Sequence, residues 1–391
     1  MKIQDVTIQN FRGISSKPFT VSLNPQLTVF IGSNGAGKST ILDATSMILS
    51  RVINLIRFQK SSGTSFKETD FPIGQRFFDG TSISIIPVNR KIWELSKEKS
   101  KSKISSITDK EYTESIRAHI FETEEQCSIP LFVYYRTNRA VLDIPLKIRK
   151  KHDFSLLEAY DEALVGSANF RHFFEWFRNR EDLENEIKHQ ERNLDYSDKQ
   201  LSAVRVAIES VMNNFCCLSV RRNPLRMVIK KDGKELLVGH LSDGERCMLA
   251  MIGDLARRLA IANPTMEEPL KGAGIVLIDE IELHLHPTWQ KMILSKLCKV
   301  FPNCQFIVST HSPVVLAELQ NGKIFELSKQ NDYLEAKAIE SNNNYFLNDI
   351  LKEFFDVDLN KDRIENVDKE KQEKGKKILL NLIQNLQKSE S

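Results

Sequence analysis

Several things are missing from this 391-residue sequence, and each absence narrows what it can be. No apolar run approaches the ~20 residues needed to cross a bilayer, and the best candidates, Ala273–Ile278 and Phe306–Ser309, are short. The opening residues Met1-Lys2-Ile3-Gln4-Asp5 lack the basic and apolar regions of a secretory leader and read straight into a strand. A cytoplasmic protein with no membrane contact is expected. An excess of one charge is also missing: 55 basic against 52 acidic residues leave +3, which argues against nucleic-acid binding by bulk electrostatics but leaves room for a local basic patch. None of the six cysteines (Cys127, Cys216, Cys217, Cys247, Cys298, Cys304) sits in a CxxC pair, and most lie in apolar sequence, as small reduced core residues do. No internal repeat is visible. With 41% hydrophobic residues the chain is not disordered throughout, and its length suits two or three domains or one lobed domain with an insertion.

The patterning that is present predicts an α/β protein. Ile3, Val6, Ile8 and Phe11 alternate with polar residues as in a half-buried strand, and Leu27–Ile31 is a second strand running into a glycine-rich turn and a helix from Lys38 to about Ile56. Ile73–Phe78 and Ser82–Val88 read as further strands of an antiparallel sheet, Ser96 to about Thr113 as a Lys/Ser-rich solvated loop, and Leu131–Tyr135 as another strand. Residues 154–213 read as helical, with an aromatic cluster (Phe170, Phe173, Phe174, Trp176, Phe177) ahead of a charged stretch. Leu183, Ile187, Leu194, Leu201, Val204 and Ile208 fall on heptad positions, but Gln190 and Ser197 interrupt the seam and Ser197 or Asp198 can cap a new helix, so a short helical arm is expected. Beyond it, Arg226–Ile229, a long helix after Asp243, Ile275–Asp279, Pro287–Val300 and Gln305–Ser309 alternate in parallel-sheet order. The tail beyond Asn360 reads as a solvated helix.

Four motifs carry chemistry. Gly32-Ser33-Asn34-Gly35-Ala36-Gly37-Lys38-Ser39 fits G-x-x-x-x-G-K-[ST] between a strand and a helix, where backbone N–H groups can cradle a phosphate. Lys38 would reach the β- and γ-phosphates, Ser39 would ligate Mg²⁺ and Thr40 would contact the α-phosphate. Ile275–Ile278 followed by Asp279-Glu280 is a Walker B pattern: Asp279 would hold Mg²⁺ through water, and Glu280 would orient or deprotonate the attacking water. Leu241-Ser242-Asp243-Gly244-Glu245-Arg246 opens a long helix, so Ser242 and the Gly244 N–H form an anion site; Ser242 and Glu245 equally make an ordinary capping box, and both readings can hold together. His311, in Ser309-Thr310-His311-Ser312-Pro313 just past a strand, can donate to a γ-phosphate.

In this order the four elements resemble the ABC-type ATPases, and within them the soluble SMC/RecF/OLD-like branch. Asn10-Phe11-Arg12-Gly13 is similar to that branch's N-terminal strand motif, whose Arg, here Arg12, approaches the phosphates. Ile281-Glu282-Leu283-His284-Leu285-His286-Pro287 resembles the branch's DEPE-x-HLHP run, with Ile281 in place of the usual Pro. About 200 residues separate Lys38 from Ser242, where the branch inserts helical arms; here about 60 residues allow at most roughly 45 Å of hairpin at ~1.5 Å per residue. A clear Q-loop glutamine is missing, and Tyr134–Arg139 stands in its place. His284 and His286 have no third ligand nearby and would shape a dimer interface rather than hold a metal.

The resemblance implies an ABC-type P-loop ATPase head, a mixed sheet plus an antiparallel N-lobe sheet with a short helical arm insertion. Its parts would be an N-lobe at 1–150, the arm at 151–215, a C-lobe at 216–330 and a helical tail at 331–391. It implies ATP and Mg²⁺ as cofactors and a head-to-head pair with each nucleotide held between Lys38 of one subunit and Ser242 of the other. More narrowly, Tyr135–Pro145 and Phe170–Glu181 look like the Septu-type ATPases of bacterial defence, including retron-linked relatives. Such ATPases work beside a separate HNH nuclease, and in retrons beside a reverse transcriptase with its RNA–DNA hybrid. The alternative is a RecF-like ATPase acting on gapped DNA through a basic set such as Arg136, Arg139, Lys147, Arg149, Lys150 and Lys151. An OLD-type nuclease would need a C-terminal metal-binding domain; only about 80 residues follow His311, with a lone Asp356-Val357-Asp358, which argues against intrinsic nuclease activity.

Overall fold

A computed structural model describes residues 1–14, 17–71, 80–98, 104–137, 155–165, 170–316, 319, 321–330 and 333–339. Its contacts divide the chain into 1–343 and 344–391; the second unit lies outside the described residues. The chain opens with β1 (Ile3–Gln9), β2 (Phe19–Ser22), β3 (Leu27–Ile31) and helix α1 (Lys38–Phe58). Next come β4 (Thr81–Pro87), β5 (Trp93–Lys97), β6 (Ile104–Ile107), α2 (Lys110–Glu122) and β7 (Leu131–Tyr135). Helices α3 (Phe170–Gln190) and α4 (Lys199–Val211) lead to β8 (Phe215–Arg222), β9 (Leu225–Lys231) and β10 (Lys234–Leu237). The last part runs α5 (Asp243–Ala262), β11 (Gly274–Ile278), α6 (Pro287–Val300), β12 (Cys304–Ser309), α7 (Pro313–Leu316), β13 (Lys323–Gln330) and β14 (Tyr333–Ile339).

Two sheets follow from two residue patterns. β1 and β4 alternate buried and accessible positions, and they sit in an antiparallel sheet of order β2-β1-β4-β5-β6. β3, β7, β11 and β12 are buried at every position, as expected of strands covered on both faces, and form the sheet β14-β13-β3-β12-β11-β7. Its strands are parallel except β14, which pairs antiparallel with β13. A third, three-stranded sheet is ordered β10-β9-β8. Because β3, β12, β11 and β7 are parallel neighbours, their carboxyl ends meet at one edge of the sheet, where α/β proteins place ligands.

The fold corrects several expectations. Ser96–Thr113 is not one loop: Trp93–Lys97 and Ile104–Ile107 pair as strands, and Asp109 caps α2 by accepting from the Tyr112 N–H. The tail does not begin at 331, since Tyr333–Ile339 closes a hairpin on β13. The arm residues form two helices packed on the head: Phe173, Phe174, Trp176 and Phe177 are fully buried, and the Phe173 ring lies against Gly253 of α5. Leu194 and Leu183 of the heptad pattern are exposed, so no coiled-coil seam forms. Asp198 caps α4 by accepting from the Leu201 N–H. Cys127, Cys247 and Cys304 are buried as expected, but Cys217 is exposed. The expected strand Ile73–Phe78, most of the basic set (Arg139 to Lys151) and Asp356–Asp358 lie outside the described residues. α1 is long and apolar enough to cross a membrane, yet 72% of that stretch is buried in the protein, where it backs the glycine-rich loop.

Candidate nucleotide site

The loop between β3 and α1 turns on glycine. Gly37, with φ of 98°, takes a left-handed conformation that a Cβ would strain, and it begins α1 without any side-chain cap. The first N–H groups of a 21-residue helix are thereby left facing the loop, the arrangement that binds phosphate. Ser33, Asn34 and Gly35 are exposed at its crown; Ala36 is buried beneath them, and Thr40 is half-buried. Lys38 Nζ donates to the carbonyls of Gly32 (2.6 Å) and Ser33 (2.9 Å), curling the ammonium back over the loop. Burial pushes the Lys38 ammonium below its usual range, although Glu280, Glu282 and Asp279 all favour its charge.

The ends of β11 and β12 supply the carboxylates. Ser39 Oγ donates to Asp279 Oδ1 at 3.1 Å, and Ser309 Oγ donates to the same oxygen at 2.5 Å while accepting from the Glu280 N–H at 2.8 Å. Glu280 itself has φ of 47°, a left-handed turn that swings its side chain out of line with the strand. His311 stands between the two halves: Nδ1 is 3.3 Å from Lys38 Nζ, and Nε2 is 3.7 Å from Glu280 Oε1. An ammonium opposite Nδ1 requires that nitrogen to accept, which puts the ring proton on Nε2, facing Glu280. Glu282 fixes the histidine loop, accepting from the His311 N–H at 2.5 Å and from the Thr310 hydroxyl at 2.7 Å.

The donor set fits a magnesium nucleotide. A serine hydroxyl beside a carboxylate is a hard-oxygen pair of the kind Mg²⁺ takes, and a lysine beside an uncapped helix terminus is matched to phosphate. Lys38, Ser39, Asp279, Glu280 and His311 are thus brought together by one chain. Arg12 is committed elsewhere: its guanidinium pairs with Asp43 of α1 and, at 2.5 Å, with Asp70. The other Asp43 oxygen is 2.9 Å from Arg136, which stands at the expected Q-loop position over the Tyr134 ring.

Ser242, Gly244 and Glu245 form a second centre. The capping box is complete, with Ser242 Oγ accepting from the Glu245 N–H and Glu245 Oε2 accepting from the Ser242 N–H at 2.9 Å. Glu245 Oε1 also takes Lys231 Nζ at 2.5 Å. Partial burial would raise the Glu245 carboxyl, but the Lys231 and Ser242 hydrogen bonds outweigh it and hold it below its usual range. A Cβ on Gly244 would lie 2.1 Å from the His284 carbonyl oxygen, so only glycine lets the 284–286 turn pack this close to α5. His286 accepts from the Thr288 N–H and caps α6. A cavity of about 780 Å³ opens here, walled by Phe215, Lys231, Ser242, Gly244, Glu245 and Trp289 among others, none of them a P-loop residue.

A family model described as "AAA domain, putative AbiEii toxin, Type IV TA system" matches residues 27–317, the span from β3 through the histidine loop. The chain belongs to this family. Among curated relatives, "Retron Vc95 probable ATPase" of Vibrio cholerae is 31% identical over 382 residues, covering 83% of this chain and 73% of that protein. "Retron Ec83 probable ATPase" of Escherichia coli is 29% identical, covering 87% and 74%, and "Septu protein PtuA" of Bacillus thuringiensis is 24% identical, covering 80% and 72%. In fold the chain is similar to an SMC head solved with the C-winged helix domain of ScpA (TM-score 0.50, 14% identity, 87% of this chain and 98% of that one). The chain thus has the fold of an SMC head, and its curated relatives are named as probable ATPases of retrons and as a Septu protein.

Other residues of this ATPase head have roles that its motifs do not announce. Ser309 and Glu282 stand inside quoted motifs, and their partners became visible only when β11 and β12 were adjacent. Asp43, Asp70 and Lys231 carried no motif signal, because their partners are distant in sequence. The largest addition is fully buried. Asp254 of α5 accepts from Tyr135 at the end of β7 (2.9 Å), from Arg257 (2.8 Å) and from Arg258 (2.7 Å), while Arg258 also donates to the carbonyls of Ala159 and Asp161. It ties the Ser242 helix to the strand beside Asp279.

Proposed function

We propose that this chain is a Mg²⁺-dependent ATPase that works as a head-to-head pair, each nucleotide held between Lys38 of one subunit and Ser242 of the other, and that the pair controls a partner nuclease in antiphage defence. The observation that supports the pairing is that the cavity onto which Ser242 and Gly244 open has no P-loop residue in its wall, while Lys38 lies on its own loop. Bound Mg²⁺ supplies charge neutralisation at the phosphate oxygens. The chain's own part is to grip the phosphates with Lys38 and the α1 terminus, orient the attacking water with Glu280 and hold the His311 proton on Nε2. Asp279 stays in place through Ser39 and Ser309.

The partner reading goes beyond the relatives' names, retron probable ATPases and a Septu protein: the partner would be a separate HNH nuclease, and in a retron setting a reverse transcriptase with its RNA–DNA hybrid. Nucleic acid would then be met through the partner or a local basic patch, and the setting would be cytoplasmic. Phage plating with Lys38→Ala and Glu280→Gln, alongside nucleotide binding and turnover by the purified proteins, tests the proposal. Loss of both binding and protection in Lys38→Ala is expected. Protection by a Lys38→Ala protein that binds no nucleotide would refute the reading. Protection by a Glu280→Gln protein that binds but does not hydrolyse would make ATP a scaffold instead of a switch.

A further inference from the structure

Strand β8 carries two adjacent cysteines outside the nucleotide machinery. Cys217 is exposed, Cys216 is partly so, and their Sγ atoms are 3.6 Å apart. Neighbouring side chains of a regular strand point to opposite faces. These two meet because the strand bulges: Cys216 opposes Lys230 and Ser219 opposes Val228, so two residues of β8 face one of β9. Cys217 takes the bulge position at φ of 57°, where a glycine would be at ease, and its N–H donates to Glu209 Oε1 at 3.0 Å. The hydrogen bond with Cys217 raises the Cys216 thiol above its ordinary range, and the exposed Cys217 is the one an oxidant meets first.

The residue before the pair reaches the Ser242 centre. Phe215 packs edge-on against Trp289 at 6.3 Å between ring centres and lies beneath the Lys231 ammonium at 5.5 Å. All three wall the cavity that Ser242 opens into. A change of backbone at Cys216 and Cys217 is therefore one residue from the cavity wall.

We infer that Cys216 and Cys217 form a reversible redox site that closes to a vicinal disulfide under a peroxide-class oxidant and alters the Ser242 cavity through Phe215. Peroxide oxidises the Cys217 thiol to a sulfenic acid with release of one water; the Cys216 sulfur then attacks the sulfenic sulfur, the S–O bond breaks and a second water leaves. Two thiols and one hydrogen peroxide give one disulfide and two waters. Closure draws the sulfurs from 3.6 Å to about 2.05 Å. Adjacent Cα atoms are only about 3.8 Å apart, below the usual disulfide range of about 4.4–6.8 Å, so the ring is strained and a dithiol reductant reopens it. Formation of the ring is independent of the nucleotide reading; its effect on turnover rests on it.

The purified full chain, treated with hydrogen peroxide, is expected to lose two hydrogen atoms by intact mass, with a link mapped between Cys216 and Cys217. Its tryptophan emission is expected to shift, because Trp93 and Trp176 are buried away from solvent while Trp289 stands on Phe215. Dithiothreitol restores both. Cys217→Gly, which suits the left-handed bulge, and Cys217→Ser show neither change, and Trp289→Phe forms the ring without the emission shift. ATP turnover falls several-fold on closure in the wild type and is unaffected by peroxide in the Cys217 variants. Oxygen addition in place of hydrogen loss, a disulfide between two chains, or a ring that leaves Trp289 emission unchanged would overturn the inference. A ring with the emission shift in a chain that hydrolyses no ATP would count against the nucleotide reading and leave the redox site standing.

Discussion

Glu282 is the residue on which the histidine loop hangs, and removing it separates positioning from binding. Its carboxylate takes the His311 N–H at 2.5 Å and the Thr310 hydroxyl at 2.7 Å, and it is one of three carboxylates around the Lys38 ammonium. Hydrogen bonds to a charged group contribute about 1.5–3 kcal/mol each, so Glu282→Ala releases the loop by roughly 3 kcal/mol or more. The His311 ring then loses its place between Lys38 and Glu280, and a displacement of ~1 Å in such a site costs about 100-fold in rate, equivalent to about 2.7 kcal/mol of barrier. Glu282→Gln keeps the shape: its carbonyl can accept from His311 and its amide can donate to Thr310, so only the charge goes. Steady-state turnover should fall about 100-fold in Glu282→Ala and less than about 10-fold in Glu282→Gln. Binding of a fluorescent ATP analogue should change little in either, because Lys38 keeps its bonds to Gly32 and Ser33. Wild-type turnover in Glu282→Ala, or a loss of affinity equal to the loss of rate, would refute the positioning role.

Asp254→Asn leaves two buried guanidiniums without their counter-charge and should cost about 3–5 kcal/mol in urea unfolding. Burial alone would raise the Asp254 carboxyl, but Arg258 and Arg257 outweigh it and hold it below its usual range. Its contribution is therefore whole above the unfolded value of about 3.9 and lost as pH falls through the lower folded value, so the gap between wild type and variant should be flat from about pH 8 to 5 and shrink below about pH 4. Gly244→Ala puts a methyl 2.1 Å from the His284 carbonyl oxygen; the 284–286 turn must shift, at about 1–3 kcal/mol in unfolding, with reduced turnover while isolated nucleotide binding persists. Phe173→Ala should cost about 3–5 kcal/mol by the same measurement, because the ring is fully buried against α5; a loss below about 1 kcal/mol would mean that α3 is a free arm.

What was legible in the sequence is what lies in continuous stretches. β3, β11 and β12 are buried on both faces, so their apolar runs were visible, and the motifs at their carboxyl ends followed from strand-then-turn order. The capping box at Ser242 is equally local. Ser39, Asp279 and Ser309 converge on one oxygen only because the order β3-β12-β11 makes their strands neighbours, a fact of topology that no window of residues contains. The arm misled for a related reason. The charged stretch Arg178–Arg192 shows no partners in sequence, yet Glu181 and Glu184 are buried against Arg205 and Arg222, which lie on α4 and β8. Charge that is paired across elements looks exposed in sequence. The strand β6 was hidden in a Lys/Ser-rich stretch because its edge position demands no apolar face: its residues alternate only between half-buried and exposed.

The two centres differ in how far one chain completes them, and the difference explains why they would need each other. At Lys38 nearly every group has found a partner inside the chain: the ammonium has two carbonyls and a histidine, and Asp279 has two hydroxyls. What remains unanswered there is the row of N–H groups at the uncapped α1 terminus. At Ser242 the helix terminus is capped by its own side chains, and Glu245 is neutralised by Lys231, so that centre is stable without a ligand. Yet its Ser hydroxyl and the close-packed Gly244 open onto a cavity that no P-loop residue walls. A phosphate bound at Lys38 satisfies the α1 terminus while keeping an outer face; the Ser242 centre offers a hydroxyl, and the described cations beside it, Lys231 and Arg246, are paired with Glu245 and Asp243. If the pair forms as proposed, the first centre binds nucleotide by itself and the second adds affinity to nucleotide already bound. Assembly of such a pair would then depend on ATP, and by linkage pairing would raise ATP affinity by the same factor.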